Sequence, residues 1–170
     1  MSRSDTIERM TAEIQMTGRL DPRDGWTADC CPIAGTLDTV GARSAFLLLR
    51  EAYYGATRFE QFVQRAAVSE PVAAARLREM TEERLLERVP YRDDGQRTRH
   101  EYRLTQKGRE LLPVLVAMAR WGDRWLFPAG ARVELTHAGC GSEVGVVLRC
   151  DAGHDVGTGE LALRERRETA

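Results

Sequence analysis

The sequence predicts an α+β fold, mainly helical with a small β part. Three observations carry this. Apolar residues recur at helical spacing over much of residues 5–127, the period turns strand-like between Val89 and Leu104, and short apolar runs alternate with glycine-rich turns beyond Gly130. With 170 residues, 42% of them hydrophobic and 30% charged, the chain has the material for one core and a small appended module, which excludes collagen-like and fully disordered classes. Its longest apolar run, Leu111 to Ala119, contains a proline and is under half of the ~20 residues a membrane span needs. The start, MSRSDTIERM, is too charged for a signal peptide, so the expectation is a soluble cytoplasmic chain with no membrane partner.

Element by element, residues 5–18 place Ile7, Met10, Ile14 and Met16 behind an Asp5/Glu8 start signal and read as a short amphipathic helix. Residues 20–26 (LDPRDGW) read as a linker. A helix follows from about Pro32 to Val40, with proline in its first turn and Gly41 as its stop. The dense apolar run from Arg43 to Tyr54 makes a central helix ended by Gly55. Thr57 with Glu60 (TRFE) forms a capping box for a helix whose inner face is Phe59, Phe62 and Val63. Ser69 caps the next one, with Pro71 in its first turn and Val72, Ala73, Leu77 and Met80 at helical spacing. Val89 and Tyr91, then an Asp94-Gly95 turn, then His100, Tyr102 and Leu104 make a hairpin. From Thr105 a long helix runs towards Trp125, bent locally by Pro113. Beyond it VEL, VGVVL and ELALR read as three short strands. The expected organisation is therefore residues 1–28 as helix and linker, 29–128 as the main domain, and 129–170 as a β-rich, ribbon-like tail.

Three helices, the second and third forming a helix-turn-helix, followed by a hairpin bearing arginines, is the arrangement of a winged helix. Charge is distributed to match. Residues 84–109 carry eight Arg or Lys against four Asp or Glu, a local +4 in a chain of net charge −1, whereas residues 1–42 carry a local −3. Of the 25 basic residues only Lys107 is lysine; arginine's planar fork suits phosphate and guanine, although genomic base composition explains the same bias. Ser69, Arg76, Arg78, Arg92, Arg97, Arg99 and Arg103 are the candidate contacts to duplex DNA.

The order of CPIAGTLDTVGARSAFLLLRE (31–51), TRFEQF (57–62), RLREMTEERLLER (76–88), RHEYRLTQKGRELLPVL (99–115) and ARWG (119–122) resembles the HxlR family of winged helix-turn-helix transcriptional regulators. The resemblance covers residues 31 to about 127. It implies a homodimer, with the N-terminal and long C-terminal helices packed across the two-fold axis, binding a pseudo-palindromic operator. Arg43-Ser44 stands where the family usually has Lys-Trp. In the recognition segment SEPVAAARLREM, Pro71, Ala74 and Ala75 stand where polar or basic side chains are common. Alanine offers a base edge only a methyl contact to thymine, so direct readout by hydrogen bonds should be thin.

Four cysteines do not make a disulfide framework here, and all read as thiols unless metal or oxidant claims them. Cys31 precedes Pro32 at a helix start, where the positive end of the dipole favours the thiolate, and some members of the resembled family sense oxidants or electrophiles at the matching cysteine. Cys30 and Cys31 are thus candidate sensors of a redox signal or small-molecule effector; the alternative is a half-buried thiol packing as a small apolar group. In the tail, His137, Cys140, Cys150 and His154 (HAGC and CDAGH) have the type and spacing of a tetrahedral zinc set, the alternative being a ribbon that folds without metal. No other cofactor is implied. GTGELA (157–162) lies too near the end of the chain for a dinucleotide fold, GxSxG and HExxH are absent, and no catalytic constellation emerges. The competing function is a ligand-binding or protein-interaction module, with Trp26, Trp121, Trp125, Met10, Met16 and Met118 lining an apolar cavity.

Overall fold

The computed structural model describes residues 14–16, 31–92, 98–127 and 129–164. These fall into two compact units, residues 31–145 and a smaller one of 14–16 with 146–164. The larger unit contains α1 (Pro32–Val40), α2 (Arg43–Tyr53), α3 (Phe59–Ala66), α4 (Glu70–Glu82), β2 (Leu86–Tyr91), β3 (Arg99–Leu104), α5 (Gln106–Arg109) and α6 (Leu112–Leu126). The smaller unit pairs β1 (Gln15–Met16) in parallel with β4 (Ala162–Leu163) after a single 3-10 turn at Thr158–Glu160. Most of the helix expected over residues 5–18 lies outside the described residues; where its end is described, Gln15 and Met16 are strand, because a two-residue ladder satisfies their backbone groups.

Val40, Leu48, Leu49, Phe62, Leu77, Leu85 and Leu86 are fully buried and form the centre of the larger unit. They come from α1, α2, α3, α4 and the start of β2, so one core fixes the helix-turn-helix to the hairpin behind it. Glu51 is the one buried charged side chain among the described residues, and it accepts from the Nε of Arg50 at 2.9 Å. The hairpin is antiparallel, running from Leu86 opposite Leu104 to Tyr91 opposite Arg99. Alternation places Leu86, Leu104 and Tyr102 on one face, and Tyr102 meets Phe62 edge to face with 5.9 Å between ring centroids. The Tyr102 amide also donates to the Thr57 carbonyl at 2.8 Å, tying β3 to the turn before α3. The Asp94-Gly95 turn lies outside the described residues.

Two elements depart from expectation for definite reasons. The capping box before α3 is moved by one residue. Arg58, not Thr57, is the N-cap, and the Gln61 side chain, not Glu60, accepts from the amides of Thr57 at 2.9 Å and Arg58 at 3.1 Å. The long helix from Thr105 is two helices. Pro113 has no amide to donate to the Arg109 carbonyl, so the helix breaks at Glu110–Leu111 and restarts with Pro113 in the first turn of α6. Tyr53 fills the gap: its hydroxyl donates to the Arg109 carbonyl at 3.1 Å and also to that of Gly108. Burial pushes the Tyr53 phenol up from its ordinary value, which keeps that donor proton in place.

The three strands expected in the tail are mostly absent. Thr136↔Glu143 and Arg149↔Asp155 are isolated bridges, and only Ala162–Leu163 is a strand. Glycine-rich turns leave too few consecutive residues for longer ladders.

Candidate nucleic-acid interface

The turn between α3 and α4 is short because Ala67 takes the left-handed conformation at φ 51°, ending α3 with its amide on the Val63 carbonyl. Ser69 is the N-cap of α4 by position, yet its side chain makes no capping hydrogen bond; its carbonyl accepts the Ala73 amide at 2.9 Å. The hydroxyl expected to close the helix end is therefore exposed at the start of α4. At the other end of α4, Arg84 is left-handed at φ 57°, and Lys107 Nζ donates to the Glu83 carbonyl at 2.7 Å. Thr105 donates to the Arg84 carbonyl at 2.6 Å, and Gly108 lies so close to the Leu85 carbonyl that a Cβ there would meet its oxygen at 2.2 Å. α5 thus clamps the junction between α4 and the hairpin, a second anchor that periodicity alone does not show.

The basic side chains distribute as follows. Arg78, Arg92, Arg99 and Arg103 are exposed, Arg76 is half-buried, and Arg97 lies outside the described residues. On α4 the arginines are engaged within their own helix: Arg76 Nη1 stands 2.5 Å from Glu79 Oε2, and Arg78 Nε stands 3.8 Å from Glu82 Oε1. On the hairpin, Arg103 Nη2 stands 3.1 Å from Glu101 Oε2. These pairs lie at the surface, with Arg76 and Glu101 partly buried, and are of small net energy, so phosphate can displace them. Arg58 was missed by sequence reasoning. Its guanidinium lies 4.8 Å from the Tyr91 ring centroid, placing a further cation beside the hairpin; its N-cap position could be found only once the helix start was known.

Cys31 is the N-cap residue of α1 and half-buried, its carbonyl accepting the Gly35 amide at 3.1 Å; Cys30 lies outside the described residues. Beside α1, an open groove of about 680 Å³ is lined by Ile33, Leu37, Phe46, Leu47, Val114 and Met118, among others. Of the described residues proposed from sequence to line an apolar cavity, Met118 alone lines this groove. Trp121 and Trp125 are exposed on α6, Trp26 and Met10 lie outside the described residues, and the Met16 side chain is not described.

The four candidate zinc ligands divide into two pairs, one in each unit. His137 Nδ1 and Cys140 Sγ are 3.2 Å apart across a tight turn, and Cys150 Sγ and His154 Nδ1 are 3.5 Å apart across another. Tetrahedral zinc holds sulfur and nitrogen ligands about 3.5 Å apart, so each pair has the separation of two adjacent ligands. Neither pair alone is the four-ligand set of a structural site, and among the described residues no three His, Cys, Asp or Glu side chains form a metal-binding group. The Ser142 hydroxyl and amide, and then His137, hold the Cys140 thiol at about 7.

No described helix is long and apolar enough to cross a membrane. Residues 39–129 match the family model of the HxlR-like helix-turn-helix. The HTH-type transcriptional regulator Rv3095 of Mycobacterium tuberculosis is 40% identical over 119 residues, 69% of this chain and 74% of that protein. Among solved structures, the candidate transcription factor PA1607 aligns with a TM-score of 0.71 and 34% identity, over 82% of this chain and 96% of its own. The redox regulator HypR in its oxidised form aligns at 0.50 with 27% identity, over 61% of this chain and all of its own. With the helix-turn-helix, the hairpin and the family match over the same residues, the chain belongs to the HxlR-like helix-turn-helix family, a family of transcriptional regulators rather than enzymes.

Proposed function

We propose that this regulator is a cytoplasmic homodimer that binds duplex DNA at a pseudo-palindromic operator, with α4 entering the major groove and the β2–β3 hairpin on the neighbouring backbone. The observation that carries this reading is the order of α3, a three-residue turn with Ala67 left-handed, α4 and a hairpin whose Arg92 and Arg99 are exposed. The N-terminus of α4 presents the amides of Glu70 and Val72 and a positive dipole end to phosphate, beside the Glu70 carboxylate. Dimerisation is supported by α6, where Met118, Trp121, Trp125 and Leu126 are each more than half exposed in the single chain. The test is retardation of the protein's own upstream region at low salt. Charge reversal by Arg92→Glu with Arg99→Glu is expected to weaken binding to every sequence alike, and a dimer that retards no DNA contradicts the reading.

A redox or small-molecule effector acting at Cys31 is the finer part of this proposal, supported by the similarity to HypR, a redox regulator, and by the position of Cys31 at the start of α1. Diamide treatment should modify Cys31 and shift operator affinity; unmodified Cys31 with unchanged affinity removes it. The alternative, a ligand-binding module that needs no DNA, is favoured by the apolar groove beside α1 and by the alanines of α4. Ligand-dependent quenching of Trp121 or Trp125 without any DNA retardation would select it.

A further inference from the structure

The outward surface of α4 divides into two chemically different halves. Ala73, Leu77 and Met80 are its buried row, so at 100° per residue Pro71, Ala75, Arg78 and Glu82 point away from the core, flanked by Val72 and Ala74. Pro71, Val72 and Ala74 are exposed and Ala75 is half-buried, so beyond the exposed Glu70 carboxylate at its first residue the N-terminal half presents methyl and methylene groups. The C-terminal half carries Arg78 and Glu82, paired with each other, while Arg76 on the helix flank is held by Glu79. In a helix-turn-helix the first residues of the second helix meet the base edges, and here those residues offer no side-chain donor apart from the Ser69 hydroxyl. Guanine, the base that arginine reads bidentately, meets no arginine or lysine in this half. The major groove displays one apolar group, the C5-methyl of thymine.

We propose that Val72, Ala74 and Ala75 are specificity-determining residues that read thymine through its C5-methyl group. The inference rests on the DNA-binding reading above and adds the base class that this site selects. Cationic side chains set the strength and register of binding, whereas the apolar half of α4 sets the sequence.

The test uses the full-length protein and a pool of random-sequence duplexes, from which bound sites are selected. The selected half-sites should share thymine at fixed positions facing α4. The same duplexes are then made with deoxyuridine in place of thymidine, which removes only the methyl groups. Each lost contact should weaken binding about fourfold, so a two-fold-symmetric site should lose at least about tenfold, with the salt dependence unchanged. Val72→Ala puts a better helix former at an exposed position, so the fold is kept; it should weaken binding to the thymidine duplex several-fold and have no such effect on the deoxyuridine duplex. Equal affinity for both duplexes, or selected sites without fixed thymines, overturns the proposal. Failure to retard any duplex at low salt instead defeats the DNA-binding reading, and this one with it.

Discussion

Ala67 and Arg84 carry the two left-handed turns at either end of α4, and neither is glycine. A side chain in that conformation costs about 1–2 kcal/mol. Ala67→Gly relieves the strain, while glycine's greater freedom in the unfolded chain takes back about 0.4–1 kcal/mol. The expected net is a protein about 0.5–1 kcal/mol more stable in urea unfolding, and a destabilised variant would contradict the turn geometry. Cys140 makes a second residue-level prediction. Because its thiol is held at about 7, below the usual thiol range, the reactive thiolate is the minor form below pH 7 and the major form above it. In EDTA, alkylation of Cys140 by iodoacetamide should be half-maximal near that pH, and Ser142→Ala should move the midpoint upward. At this scale the sequence showed which residues matter better than what each does. Ser69 marks the start of α4 but makes no cap, and the carboxamide that closes α3 belongs to Gln61, since a cap depends on where the helix begins within one residue.

At the scale of elements, helices with a fully patterned apolar face were legible. Pro32–Val40, Arg43–Tyr53 and Glu70–Glu82 lie where spacing, proline and glycine put them, and the hairpin follows from the change of period after Leu86. The break before α6 was not legible in full. Pro113 announces a bend, but whether a helix bends or restarts depends on what receives the freed carbonyl, and the receiver is Tyr53, 56 residues away in sequence. The tail misled because short apolar runs such as VGVVL satisfy a strand pattern whether or not a partner strand exists. The exposed apolar residues of α6 lead to a prediction for that element. Trp121→Asp with Trp125→Asp should turn a dimer into a monomer in light scattering while helix content is retained, because neither side chain belongs to the core of the single chain. A dimer that persists would place the interface elsewhere.

For the molecule as a whole, the winged-helix order was readable because it depends on the sequence of element types, which survives errors of a residue or two at each boundary. The candidate site was readable only in composition: the arginines of α4 and the hairpin were found, but not that those of α4 are paired within their own helix. Arg103 on the hairpin is paired in the same way, with Glu101, so phosphate must displace an ion pair at both elements. The most direct measurement is the salt dependence of DNA affinity, by fluorescence anisotropy, for the native protein and for Arg99→Gln. Each phosphate contact contributes a slope of about −0.9 to log affinity against log salt, so one lost contact in each of two subunits should flatten the line by about 2. A steep line flattened by that amount is the predicted result; a slope near zero, or one that Arg99→Gln leaves untouched, would contradict a DNA-contacting hairpin presented twice.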